Sequence, residues 1–259
     1  MEAMVTFVSD DGAQEDWTKL MPLFRQAGVP CVVAITSRQV GQAGYMGKEQ
    51  IAYLQDELGW EVASHAREHV NLTELSEARM EEECRGSQEE LRALGFGAQA
   101  IVYPYGRNNA RVRSIAGRYY DAGIEVGGGG NTGRADRYRL QRVALGSYFD
   151  SRLPLATNRI AYYKARVDEA VRARAWLIFM LHPAERSHDG EQQRHLRETI
   201  RYVQAIGVPI VTVREGLSRR ADLSMRARPR RLPGNGVLLR SIRRLVGLKF
   251  VWFYFMRCK

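Results

Sequence analysis

Short apolar runs alternate with longer amphipathic stretches along the whole chain. Residues 5–12 read Val-Thr-Phe-Val-Ser-Asp-Asp-Gly, an apolar run of strand length that stops at two carboxylates and a glycine. Residues 17–28 carry helical periodicity closed by Gly28, and 30–36 read as a second strand. Residues 48–59 read as a helix and 60–64 as a third strand ending at His65. Thr73, Ser76 and Glu77 open a long charged helix that runs to Gly95. Residues 100–103 are a fourth strand leading into Pro104-Tyr105-Gly106, with a helix over about 110–123. A short strand at 123–126 dissolves into the glycine run 127–130, a rim rather than a phosphate cradle, and 139–145 make a sixth strand. A helix at 158–175 leads into a strand at 176–181 that ends in His182-Pro183, then a helix at 191–207 and a last strand at 209–213. This alternation predicts an α/β fold: a parallel sheet with crossover helices, open or closed.

Composition narrows the picture. At 259 residues, 45% hydrophobic and 26% charged, the chain suits one large α/β domain or two small ones. Its net charge of +10 suggests nucleic acid until its distribution is examined. Residues 219–259 hold 12 Lys or Arg against the single acid Asp222, so the other 218 residues carry 27 basic and 28 acidic groups. The body is neutral, and no nucleic-acid partner is expected. The tail carries Pro229, Pro233 and Gly234, then mixes apolar residues with Arg240, Arg243, Arg244 and Lys249. Its longest uncharged run is too short to span a bilayer, and its character suits an anionic membrane surface. A disordered basic tail, or a helix packed on the body, are the alternatives. With no leader-like start, the expected location is cytoplasmic, or peripheral at the inner membrane face. Cys31, Cys84 and Cys258 have no ligand spacing, which speaks against a disulfide framework, and Cys31 reads as a small core residue.

Polar residues at strand ends carry the candidate chemistry. Asp10 and Asp11, His65, Tyr105 and His182 follow the carboxyl ends of four strands, the edge where parallel sheets build active sites. Adjacent carboxylates repel unless a cation or shared proton offsets them, although Asp-Asp-Gly also makes a solvated turn. His65 and His69 are four apart, so on a helical turn both imidazoles reach one divalent ion, with an aspartate completing the set. An incidental pair is the alternative. His188 and His195 read as surface residues.

Together these residues resemble the polysaccharide deacetylases, carbohydrate esterase family four with the NodB homology domain. The family's Thr-Phe-Asp-Asp-Gly is similar to Phe7-Val8-Ser9-Asp10-Asp11-Gly12, with Ser where the family has Phe. Its His-Ser/Thr-x-x-His is similar to His65-Ala66-Arg67-Glu68-His69, its Pro-Tyr-Gly to Pro104-Tyr105-Gly106, and its Leu-x-His to Met180-Leu181-His182. The resemblance implies a distorted (β/α) barrel of about seven parallel strands over residues 1–218, with 219–259 as a basic tail. It implies that Asp11, His65 and His69 hold one divalent metal, zinc foremost and cobalt or nickel otherwise. It further implies that Asp10 is the general base, that Tyr105 holds the oxyanion through its N–H, that Leu181 lines the acetyl pocket, and that His182 protonates the leaving amine. Many relatives place an orienting arginine two residues before the motif-three proline, where this chain has Val102; Arg142 is the candidate replacement, an ordinary surface arginine being the alternative. The family's aspartate-containing fourth motif has no clear counterpart. The expected function is a metal-dependent hydrolase that removes acetyl from an N-acetylated sugar, polysaccharide or glycolipid. A hydrolase of a non-sugar amide, or a non-catalytic membrane-tethered module on the same fold, are the alternatives.

Overall fold

Alternation inside each strand determines what faces the middle of this molecule. The computed structural model describes residues 2–133, 135–146, 159–184 and 190–220. Seven parallel strands close a barrel in chain order: β1 (Met4–Ser9), β2 (Val32–Ile35), β3 (Glu61–Ser64), β4 (Ala100–Val102), β5 (Ala122–Val126), β6 (Leu140–Ala144) and β7 (Trp176–Leu181). β1 closes the ring on β7 in continuous register from Met4↔Trp176 to Ser9↔Leu181. Met4, Val8, Val32, Ala34, Ala63, Ala100, Val102, Ala122, Ile124, Leu140, Trp176 and Ile178 form one buried cluster, the barrel interior. The residues between them, such as Val5, Phe7, Val33, Val62, Ile101 and Phe179, pack outward against the helices. Phe7 meets Phe24 edge-on and stacks on Phe179, which ties β1 and β7 to the helical layer.

Period two then fixes the mouth. Continuing the interior series past the strand ends gives Asp10 from β1, His65 from β3, Arg142 on β6 and His182 from β7. All four belong to one rim because parallel strands end together.

The helices are α1 (Met21–Ala27), α2 (Lys48–Leu58), α3 (Glu77–Ala93), α4 (Ala110–Ala116), α5 (Arg159–Ala173), α6 (Gly190–Ala205) and α7 (Val213–Arg219). The helix expected at 17–28 begins as a π-turn, Asp16–Leu20, because Pro22 near the start of α1 has no N–H to continue a regular ladder. α3 starts later than Thr73: Ser76 caps it by accepting from the Arg79 N–H, while Thr73 sits in a 3₁₀ turn, Leu72–Glu74.

Two expectations are corrected. Residues 209–213 are not a barrel strand; they make a single bridge, Val5↔Ile210, before Thr212 caps α7. Val211 and Val213 instead join the interior cluster beside Trp176, the first residue of β7, and so close the floor of the barrel. Gly216 of α7 lies so near Trp176 that a β-carbon there would come within 2.3 Å of the indole. His195, expected on the surface, is buried on α6 with its ring 6.5 Å from that of Tyr163. Cys31 and Cys84 are buried and free. No helix among the described residues is long and apolar enough to cross a membrane. The tail from 221 onward, with its expected membrane contact, and His188 lie outside the described residues.

Candidate functional site

Asp11 turns away from Asp10 because its backbone is left-handed, with φ at 79°. That carries its carboxylate to the two imidazoles: Oδ1 lies 3.5 Å from His65 Nε2 and 3.4 Å from His69 Nε2. One ligand atom from each of Asp11, His65 and His69 lies within 4.8 Å of the others, the one such group singled out among the described residues. The histidines do not share a helical turn as their spacing suggested. Residues 65–69 form a loop in which Ala66 (φ 62°) and His69 (φ 54°) are both left-handed. Asp11, Ala66, His69 and Tyr105 account for four of the five non-glycine residues with positive φ among the described residues. Such strain gathers where a fold over-determines a site. His65 is buried, and its Nδ1–H donates to the Val102 carbonyl at 2.8 Å, which fixes the tautomer and leaves Nε2 with its lone pair toward Asp11.

Asp10 has the opposite surroundings. Arg142 clamps it with two hydrogen bonds, Nη1 to Oδ1 at 2.6 Å and Nη2 to Oδ2 at 2.9 Å, and both side chains are buried. Burial alone would push the Asp10 carboxyl up, but the charge of Arg142, aided by His65 and His182, holds it well below the usual carboxylate range. His182 Nε2 stands 3.4 Å from Asp10 Oδ2, and the Asp10 N–H donates to the Leu181 carbonyl at 3.1 Å. The Leu181 side chain is itself buried in the layer between barrel and helices. Tyr105 is exposed in a left-handed turn, its ring edge-on to His69 and its hydroxyl donating to the His69 carbonyl at 3.3 Å.

The polysaccharide deacetylase family model matches residues 2–123, the stretch that supplies Asp10, Asp11, His65, His69 and Tyr105. Over that stretch the chain is similar to the polysaccharide deacetylase family. Solved structures extend the likeness of fold across the rest. A T48 deacetylase with substrate superposes at a TM-score of 0.61 and 17% identity, covering 84% of this chain and 92% of its own. A family 4 carbohydrate esterase from Streptomyces lividans, in complex with acetate, gives 0.58 at 16% identity over 81% and 92%. A family 4 acetyl xylan esterase from Clostridium thermocellum, in complex with a cobalt ion, gives 0.60 at 14% over 84% and 92%. No curated protein matches the chain.

Two residues of this rim escaped the sequence reading. Asp16 is buried, accepts a hydrogen bond from Ser9 Oγ, and leaves Oδ2 without a hydrogen-bond partner. Burial, with Asp11 and Asp10 nearby, pushes its carboxyl well up. Ser9, where the family has Phe, provides that hydrogen bond. Glu83, fully buried on α3, accepts from the Arg67 and Glu68 N–H groups in the histidine loop. A signal for it exists in the sequence. Met80, Glu83, Cys84, Ser87 and Leu91 repeat at three and four, so Glu83 is a carboxylate within the buried stripe of a helix.

Burial lowers the His65 imidazole to about 4, against 6.5 for the unperturbed group. The unfolded chain therefore binds this proton more readily than the folded one between those values, and stability falls as pH drops through that window. In metal-free protein, urea denaturation at pH 7 and pH 4 should differ by about 3 kcal/mol from this group. A His65→Asn variant should lose that share of the decline; an equal decline in both proteins contradicts the assignment.

Proposed function

We propose that this protein removes the acetyl group from an N-acetylated sugar, held singly, in a polymer or on a lipid. One observation carries the reading: β1 ends in two adjacent carboxylates that the fold sends to opposite environments. Asp10 lies under a buried guanidinium beside an imidazole, and Asp11 lies before two imidazoles. Paired carboxylates with divergent surroundings are suited to divergent roles.

The donor set of Asp11, His65 and His69 fits a divalent ion such as zinc, with cobalt or nickel as substitutes, since two imidazoles and a carboxylate leave positions for water and substrate. A metal held there supplies Lewis acidity toward the acetyl carbonyl and the attacking water. Arg142 keeps Asp10 ionised, so Asp10 accepts the water's proton as oxygen bonds to the carbonyl carbon. The Tyr105 N–H donates to the oxyanion. His182 delivers a proton to the amide nitrogen as the C–N bond breaks, releasing acetate and the amino sugar. Arg142 on β6 takes the orienting part that relatives give to an arginine at the position of Val102.

Support beyond the geometry comes from the family match and from relatives of the same fold that carry acetate and cobalt. Acetate release should be measured across N-acetylated monosaccharides, chitin- and xylan-type oligomers and glycolipids, before and after chelation. The reading expects release from at least one sugar, abolished by chelation and restored by zinc or cobalt. Release from non-sugar amides alone, or release indifferent to chelation, would overturn it.

A further inference from the structure

The loop that presents the two histidines has little regular structure to hold it. Its Ala66 and His69 sit in a left-handed backbone region that side-chain-bearing residues rarely adopt. Ala66 brings no hydroxyl, so the restraint must come from outside the loop. On one side, the Ser37 and Arg38 N–H groups donate to the Ala66 and Arg67 carbonyls at 3.3 and 3.2 Å. On the other side stands Glu83, with one carboxylate oxygen accepting from both Arg67 N–H and Glu68 N–H at 3.0 Å each. Its second oxygen faces Arg79 at 3.6 Å. The same helix grips the Arg67 side chain, which donates to Glu82 at 2.6 Å and Glu90 at 2.7 Å and lies across Gly86. A β-carbon at Gly86 would come to 3.0 Å from Arg67 Cδ. Residues 82, 83, 86 and 90 share one face, so this side of α3 is fitted to the loop.

We propose that Glu83 is a positioning residue for the metal centre: its carboxylate, anchored on α3, gathers the Arg67 and Glu68 N–H groups and so holds His65 and His69 at ligating separation. The inference rests on Asp11, His65 and His69 being the metal ligands. Buried acceptors of this kind act by geometry, since two amide donors left without a partner inside the fold pull the loop toward water. Length should therefore matter more than charge. Glutamine at position 83 keeps an acceptor oxygen at the same reach; aspartate keeps the charge but draws the oxygen back by one methylene.

The test compares zinc affinity of the full chain, by competition with a chelating dye, in Glu83→Gln and Glu83→Asp. It also follows amide exchange of Arg67 and Glu68 in the metal-free forms. Glu83→Gln should stay within about threefold of the parent in affinity, and Glu83→Asp should bind zinc about 10- to 100-fold more weakly. Exchange at residues 67 and 68 should quicken at least tenfold in Glu83→Asp alone, with the β1 and β7 amides still protected. The reverse order, or two variants that match the parent, overturns the clamp. A His69→Ala control separates the two ideas: if that variant binds zinc as the parent does, the ligand reading fails, while the metal-free exchange still decides what Glu83 holds.

Discussion

Asp10→Asn is expected to lower kcat for acetate release by about 10²- to 10⁴-fold, the usual range for losing a positioned base, while zinc stays bound. The amide keeps the shape of the carboxylate but cannot accept the water's proton. Its effect extends further, because Asp10 also neutralises Arg142 inside the barrel mouth. Removing one partner of such a buried pair costs about 3–5 kcal/mol of stability. The pH dependence of that cost follows from the sign of the shift. Asp10 titrates below its ordinary 3.8, so the stabilisation is complete above that value and is lost only as pH falls through the lower one in strong acid. The stability gap between parent and variant should therefore be equal at pH 6 and pH 8. Steady-state kinetics, zinc content and urea denaturation on the same preparations check all three statements. Zinc lost together with turnover would move Asp10 from base to ligand.

His69→Ala is the second large effect, and its profile is the inverse. Zinc content should fall from about one per chain to near none, and acetate release should fall to the level of the chelated parent. Fold stability without metal should change little, by about 0.5 kcal/mol, because His69 is partly exposed and its ring lies at the rim against those of His65 and Tyr105. His65 is a poorer choice for this experiment, since its burial and its bond to the Val102 carbonyl mix ligand loss with fold damage. Unchanged zinc stoichiometry in His69→Ala removes the ligand assignment.

What the chain declares locally was legible, and what it declares only through distant partners was not. β7 could be read to its ends because Trp176–Leu181 is an unbroken apolar run between polar flanks. Residues 209–213 looked the same, yet β1 is taken by β7 along one edge and by β2 at the end of the other, which leaves that segment a single bridge at the floor. The two histidines were found, but the spacing of four suggested a helical turn. Nothing within residues 65–69 reveals the left-handed backbone or the helix face that supports it, because Glu83 and Glu90 come from α3. Arg142 was a candidate from its place on a late strand. Its meeting with Asp10, 132 positions earlier, follows from β6 pairing with β7 and β7 with β1, which brings both interior series to one rim. Asp16 gave no sign, since an acidic residue at a helix start is ordinary on a surface and only the Ser9 contact shows it to be inside.

The central claim is that Asp11, His65 and His69 share one divalent ion beside the Asp10–Arg142 pair. Crystals of the zinc-loaded chain, measured on either side of the zinc absorption edge, locate that ion without assumption. The account predicts one anomalous peak about 2.0–2.2 Å from an Asp11 oxygen, His65 Nε2 and His69 Nε2. A peak elsewhere on the chain, or none at that rim with zinc bound in solution, would contradict it.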